Sequence, residues 1–367
     1  MLDKKIDIFS LLPKKSYVGE DIIIKEQGKN ILVYYITKYP TGQSKAEKFQ
    51  PAKALFSKYF LISSEDIECF GMYQGDGQKS IKSKSYQSTR FANSDPKLLQ
   101  KFIEFLQRLG IKEKNLKYNL SVSRNINLNE EELKEFWSKT LNINKSGFYK
   151  IQLRDNKYSN SKVEPKGTLT IIYSNSSFRV VFDALFNYVK RESLKQKRGA
   201  AYFLRGLIAA DGNVYHKGSK KEVNIAAKPQ EDRLSIQKLF SLLGIKPNKD
   251  NTTPGKETVR VTGYPNFEII QKYNLCDLHP KKEDKFKKAM GSYKNKCRRK
   301  GDSILLILKK LEKPKTTNQL AREMQRGYTS IKRYLYILEN KSLIKRIKSL
   351  EHEVPQGRIP ERWIKSS

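Results

Sequence analysis

The chain has 367 residues, with 73 Lys and Arg against 38 Asp and Glu and a formal charge of +35. An imbalance of that size points to a polyanionic partner, and the length allows two or three domains. No long apolar run or basic amphipathic anchor speaks for a membrane, while three dispersed cysteines (Cys69, Cys276, Cys297) and three dispersed histidines (His216, His279, His352) argue against a disulfide framework, a zinc finger or a His-based triad.

Residues 1–60 read as an accessory segment that packs on the larger unit C-terminal to it. Strands are expected over Asp21–Lys25 and Asn30–Lys38 about a Gly-Lys-Asn turn, then a basic helix near Ala46–Phe60. From Ile67 to Gln78 an apolar helix carries small residues at Gly71 and Gly75 and ends in Asp76-Gly77. Two strands with one wet face come next, over Lys79–Ser85 and Tyr86–Asn93, presenting Lys79, Lys82, Lys84, Gln87 and Arg90. Pro96 opens a helix whose stripe of Leu98, Leu99, Phe102, Phe105, Leu106 and Leu109 stops at Gly110. A further strand and helix fill Leu116–Leu141 and include Trp137. Strands Phe148–Leu153, with Lys150, Gln152 and then Arg154, and Thr168–Tyr173 precede a helix over Phe178–Arg191. The charged stretch Lys190–Arg198 reads as a link.

The design then returns. Tyr202–Asn213 reads Tyr-Phe-Leu-Arg-Gly-Leu-Ile-Ala-Ala-Asp-Gly-Asn, so Gly206, Ala210, Asp211 and Gly212 match Gly71, Gly75, Asp76 and Gly77. Strands over Asn213–Lys217 and Glu222–Ala227 carry Lys217, Lys220 and Asn224, with Lys228 just beyond. Pro229 opens a helix that ends at Gly244, and Leu109-Gly110-Ile111-Lys112 is echoed by Leu243-Gly244-Ile245-Lys246. A strand Thr258–Thr262 with Arg260 and a helix Asn266–Asn274 complete the copy. A duplicated supersecondary unit is the physical content of such self-similarity.

Small residues four apart let a second helix backbone approach closely. If the two helices pair in parallel, Asp76 and Asp211 meet beside the carbonyls of Gly75 and Ala210. This is a cluster of hard oxygens suited to Mg²⁺ or Mn²⁺, at helix ends where an uncompensated carboxylate costs stability. A metal held by two acids can activate water for phosphodiester hydrolysis. One Asp-Gly alone would read as an ordinary turn after a buried helix; two matched copies favour the site.

In these residues the chain resembles the LAGLIDADG homing endonucleases in their monomeric, two-motif form. The resemblance implies an α+β fold of two pseudo-symmetric αββαββα repeats, here residues 61–192 and 193–298, whose sheets form a saddle over double-stranded DNA. It also implies divalent-metal ligation by Asp76 and Asp211 and cleavage at a long asymmetric target. The family's late-strand Lys is replaced here by Tyr173 and Thr262. Lys228 is the nearest match to a water-organising position, with Arg154 and Arg260 as further candidates. The basic and amide residues on the strands can neutralise phosphates or read base edges. A catalytically silent transcription regulator and an intron-RNA maturase are the alternatives. Without a terminal Cys nucleophile or His-Asn pair, an excised intein is disfavoured. A prokaryotic cytoplasm, at the nucleoid, is the expected location, with an organellar matrix as the second choice.

About half of Lys281–Lys300 is Lys or Arg, which suggests sequence-independent phosphate contact. Residues 299–367 then resemble a winged helix-turn-helix domain. Helices are expected over Ser303–Leu311, Thr316–Met324 and Thr329–Leu343, with a wing made by Ile344–Ile347, a turn at Pro355-Gln356-Gly357, and Arg358–Ile364. The recognition helix would present Tyr328, Thr329, Ser330, Lys332 and Arg333 to DNA; such a domain can equally bind protein.

Overall fold

The computed structural model describes residues 5–15, 22–35, 53–78, 88–123, 129–154, 166–217, 220–227, 230–248, 257–293, 302–324, 326–347 and 361–366. The chain divides into two units, Met1–Thr262 with Ile269–Ala289, and Gly263–Glu268 with Met290–Ser367. Among the described residues no helix is long and apolar enough to cross a membrane.

The N-terminal region is built of short strands: β1 (Lys5–Asp7), β2 (Ile22–Gln27), β3 (Asn30–Tyr35), β4 (Ala54–Ser57) and β5 (Tyr59–Leu61). β2 turns into β3 at Gly28, whose φ of 61° suits a residue without Cβ. The helix expected near Ala46–Phe60 is corrected over its described part. Ala54 and Phe56 are buried while Leu55 and Ser57 are exposed, a period of two that only a strand supplies, and β4 completes the β2-β3-β4 sheet.

In the first repeat, α1 (Ser64–Asp76) starts in a capping box. Ser63 Oγ accepts from the Asp66 amide at 3.2 Å and the Ser63 amide donates to Asp66 Oδ2 at 2.9 Å. β6 (Thr89–Asn93) and α2 (Pro96–Arg108) come next, with Asp95 capping the helix and Pro at its first turn as expected. Then come β7 (Lys117–Ser123), α3 (Glu130–Leu141), β8 (Phe148–Arg154), β9 (Thr168–Tyr173) and α4 (Ser176–Ser193). The strands order β6-β9-β7-β8, antiparallel except for β7 with β8. Phe91 stacks on Phe102 of α2 with ring centroids 4.3 Å apart, and Phe70, Tyr73, Phe105 and Phe182 continue that core.

The second repeat begins at α5 (Lys197–Asp211), so the charged link is only three residues long and the rest of it belongs to the two helix ends. β10 (Gly212–Lys217), β11 (Lys220–Ala226), α6 (Gln230–Leu242), β12 (Thr258–Thr262), α7 (Tyr264–Lys272) and α8 (Pro280–Gly291) complete it, with sheet order β10-β11-β12. Val214, Val223 and Val261 stand in register and are buried, as are Ile225 and Val259.

α1 and α5 meet backbone to backbone. A Cβ at Gly71 would collide with the Phe203 carbonyl oxygen, and one at Gly206 with that of Glu68. One turn on, a Cβ at Gly75 would lie 2.9 Å from the Cβ atoms of both Ala210 and Asp211. Both crossings advance in the same direction, so the pair is parallel and its C-terminal ends adjoin.

In the smaller unit, α9 (Asp302–Lys310), β13 (Lys315–Thr316), α10 (Thr317–Met324), α11 (Tyr328–Asn340), β14 (Ile344–Ile347) and β15 (Arg362–Lys365) form three helices and a β13-β15-β14 sheet. Ile307, Leu311, Leu320, Ile331, Leu335 and Trp363 make its core. β13 is an element that the sequence does not foretell, and the turn expected at Pro355–Gly357 lies outside the described residues.

Gly206→Ala should cost about 3 kcal/mol in urea denaturation, because the added methyl meets backbone that cannot yield locally. Gly291→Ala, where a Cβ meets nothing within 4 Å, should stay within about 0.5 kcal/mol of the parent.

Candidate functional site

Asp76 is the last residue of α1 and Asp211 the last of α5, so the parallel crossing of the two helices delivers both acids to one place. The glycines after them are not turn glycines. Gly77 and Gly212 have φ of −81° and −73°, and what excludes a side chain is contact with their own helix, at Tyr73 and at Ile208. Each chain therefore leaves its helix in extended form. Gly77 bridges to Phe91, and Gly212 is the first residue of β10.

The two acids differ in their surroundings. Asp76 is half-buried, and Asn93 Nδ2, from the end of β6, donates to its Oδ2 at 2.5 Å. Burial pushes the Asp76 carboxyl up to about 6; the Asn93 hydrogen bond and the Lys282 ammonium pull it down, and Asp211 pushes it up again. Asp211 is exposed.

Lys282, in the first turn of α8, is the residue that sequence reasoning missed. Its Nζ donates to the carbonyls of Ile208 (2.9 Å), Ala209 (2.7 Å) and Ala210 (2.8 Å), the last turn of α5. Burial lowers its pKa to about 8, against the raising effect of Asp76 and Asp211. A partly buried network stands beside this arrangement. Glu68 accepts from Arg205 Nη1 at 2.7 Å and pairs with Lys101 at 2.9 Å, while Arg205 also grips Asp277 through two bonds of 2.5 and 2.6 Å. Asp277 leads directly into α8, and His279 Nδ1 stands 3.6 Å from Asp95 Oδ2. One signal for Lys282 was legible: Lys in the first turn of a helix opened by Pro280 opposes the macrodipole, and so needs a reason of another kind.

The expected ligand set fits a divalent ion in part. Two carboxylates at adjoining helix ends are hard oxygen donors of the right type. The Ala210 carbonyl, however, already accepts from Lys282. Among the described residues no three His, Cys, Asp or Glu side chains gather as a metal site.

Flanking the acids, each sheet turns one face to its helices and the other away. In the first repeat the face opposite Phe91 and Leu120 carries Arg90, Asn119, Ser121, Thr168, Thr170, Lys150 and Gln152, as the pairing registers dictate, and β8 ends at Arg154. In the second, Asn213, Asn224 and Arg260 are in register, next to Tyr215, Glu222 and Thr262, and then Lys217 with Lys220. Lys150, Gln152 and Arg90 are thus brought onto one face, and Lys217, Lys220, Asn224 and Arg260 onto another. Glu222, unforeseen, accepts from Asn224 Nδ2 at 3.0 Å. His216 alternates to the face opposite Lys217. Lys79, Lys82, Lys84, Gln87 and Lys228 lie outside the described residues. Buried Arg179 of α4 donates to the carbonyls of Gln78 (3.0 Å) and Ser88 (3.2 Å), to Tyr73 Oη and to Asp183. It ties together the two flanks of segment 79–87.

The family model described as a LAGLIDADG-like domain matches residues 70–140 and 199–281, one match on each copy of the helix that ends in Asp. Each copy of the duplicated helix thus ends within a segment similar to that domain. No curated protein matches the sequence. Among solved structures it is similar to the homing endonuclease I-DmoI in complex with DNA and Ca, at 13% identity and TM-score 0.34, covering 60% of this chain and 96% of that one. It is also similar to full-length DUF199/WhiA from Thermatoga maritima, at 12% identity and TM-score 0.36, covering 76% and 93%. The N-terminal LAGLIDADG domain of DUF199/WhiA matches at 10% identity and TM-score 0.33, covering 58% and 83%. The fold is mixed α+β, and the duplicated motif is matched once in each copy by that family model.

The elevated Asp76 value has a consequence for stability. Folding favours the protonated carboxyl, so the stability of the metal-free protein should fall as pH rises from the ordinary 3.8 through about 6. The loss should be about 3 kcal/mol, and Asp76→Asn should abolish it in urea titrations across that window.

Proposed function

We propose that the protein is a site-specific double-strand DNA endonuclease acting with a divalent metal, Mg²⁺ or Mn²⁺. The observation that carries the reading is the meeting of Asp76 and Asp211 at the adjoining ends of α1 and α5, flanked by two sheets whose outer faces are polar and basic. Lys150, Gln152 and Arg90 on one sheet and Lys217, Lys220, Asn224 and Arg260 on the other contact phosphates and base edges across a saddle. The two repeats differ in sequence and, among the described residues, in strand number, so the target is asymmetric, and two motifs in one chain make a monomer sufficient. Asp76 and Asp211 hold the ion, which when bound supplies a Lewis acid and an activated water for phosphodiester hydrolysis. Asn93 fixes the orientation of the Asp76 carboxylate. Arg179 holds the carbonyls of Gln78 and Ser88.

Residues 299–367 act as a winged helix-turn-helix module. α10 and α11 form the helix pair, and β14 with β15 the wing. Thr316 Oγ1 accepts from the Gln319 amide at 3.2 Å and the Thr316 amide donates to Gln319 Oε1 at 2.8 Å, a capping box that sets the start of α10. Thr329, Ser330 and Arg333 are exposed on α11, with Lys332 half-buried over the rings of Tyr328 and Tyr336.

A second reading, DNA binding without cleavage, is favoured by one observation: Lys282 already supplies a cation at the end of α5. The readings separate when the protein is incubated with Mg²⁺ and a randomised duplex library and the broken ends are sequenced. Cleavage predicts discrete metal-dependent breaks at one long motif, lost in Asp76→Asn and Asp211→Asn while binding persists. Enriched but unbroken sequences would make the protein a silent DNA binder.

For the tail, Lys332→Gln with Arg333→Gln should reduce the slope of log affinity against log salt by roughly 0.9 for each phosphate that α11 no longer neutralises. An unchanged slope in a filter-binding titration would assign α11 to protein contact instead.

A further inference from the structure

The end of α5 presents three carbonyls in succession, from Ile208, Ala209 and Ala210, and all three accept from a single ammonium. A lysine ammonium has three protons. Here each goes to a carbonyl, none is left for a carboxylate or a water, and Lys282 is therefore poorly suited to act as a proton shuttle. Its charge nevertheless stands where Asp211 leaves the helix and where the negative end of the α5 dipole adds to both acids. Nothing about its placement is incidental. Pro280 starts α8 two residues earlier, Arg205 anchors Asp277 at 2.5 and 2.6 Å, and the same Arg205 reaches Glu68 on α1 at 2.7 Å. The partly buried Glu68-Arg205-Asp277 ion pairs thus join the helix crossing to the segment that precedes α8, and α8 carries the ammonium.

We propose that Lys282 is the resident counter-ion of the acid pair. It occupies the cation position on the Ala210 side, makes the paired helix ends stable without metal, and holds down the affinity of Asp76 and Asp211 for a divalent ion. The inference rests on the reading of those two acids as metal ligands. A fixed positive charge a few ångströms from an incoming divalent ion weakens binding by roughly tenfold to a hundredfold even with the screening of bulk water.

The test measures Mn²⁺ binding to the full chain without DNA, from the electron paramagnetic resonance signal of free hydrated Mn²⁺. Lys282→Gln keeps donors for the carbonyls but removes the charge, and Lys282→Arg keeps the charge. The expected result is at least tenfold tighter binding by Lys282→Gln than by the parent or Lys282→Arg, with the gain abolished by adding Asp76→Asn and Asp211→Asn. Were Lys282→Gln to unfold without metal, Mn²⁺ should raise its melting midpoint more than that of the parent, and only with both acids present. Equal affinity in parent and Lys282→Gln, with loss of binding in the double acid variant, overturns the counter-ion assignment and leaves the acids as ligands. Binding unaffected by the acids in every background overturns the metal reading and the inference with it.

Discussion

Backbone contact between α1 and α5 at Gly71 and Gly206 decides where both repeats stand. Any side chain at either position would meet a carbonyl of the partner helix, of Phe203 or Glu68, and push the helices apart. Close approach with a parallel sense makes the two C-terminal ends neighbours. Two helix ends side by side concentrate unpaired carbonyls and the negative poles of two dipoles. The acids Asp76 and Asp211 add to that charge rather than relieve it, so the crossing that builds the site also creates an electrostatic demand that something else in the chain must meet.

The chain meets it from two directions. On the α1 side Asn93 donates to Asp76, and on the α5 side Lys282 donates to three carbonyls. Further down the interface, Glu68 is buried between Lys101 and Arg205. Buried ion pairs of this kind recover little net stability once desolvation is counted. What the Glu68-Arg205-Asp277 set does supply is registry, since it joins α1, α5 and the start of α8 through a single guanidinium. A slide of one helix turn along the interface would take Arg205 away from Glu68 and leave that carboxylate with Lys101 as its one counter-charge among these.

The duplicated helix ending in Asp-Gly was legible because it breaks a rule twice in the same way, with an acid at a helix C-terminus and small residues exposed by spacing alone. The helix opened by Pro96 and stopped by Gly110, and the strands β7, β8 and β9 after it, came from local signals that packing did not overrule. The stretch at 46–60 misleads where it is described, because its Lys-rich composition suggests a solvated helix while the burial of Ala54 and Phe56 is decided by pairing with β3, far away in sequence. Lys282 was hidden for a different reason. It sits in a run where about half the residues are basic, and only the tertiary placement of α8 distinguishes one ammonium bonded to the α5 carbonyls from neighbours that face solvent. Glu222 escaped because a carboxylate on a basic sheet face carries no sequence pattern.

The ammonium also changes what the two acids can be taken to imply. From sequence alone, two carboxylates at helix ends argue for a bound metal, because without one they destabilise their helices. With Lys282 in place that cost is partly met by the protein itself, so the acids by themselves no longer require an ion. What the ammonium does not account for is their inequivalence. Asp76 is half-buried and accepts from Asn93, which stands three residues before Pro96; the residue three before Pro229 is Ala226, and Asp211 is exposed. The duplicated motif therefore places the same residue type at two helix ends in unequal surroundings, because the segments that follow each helix differ. Burial acts on Asp76 and raises its pKa, while Lys282 acts on the carbonyls that precede Asp211, so each copy of the motif meets its excess negative charge by a different route.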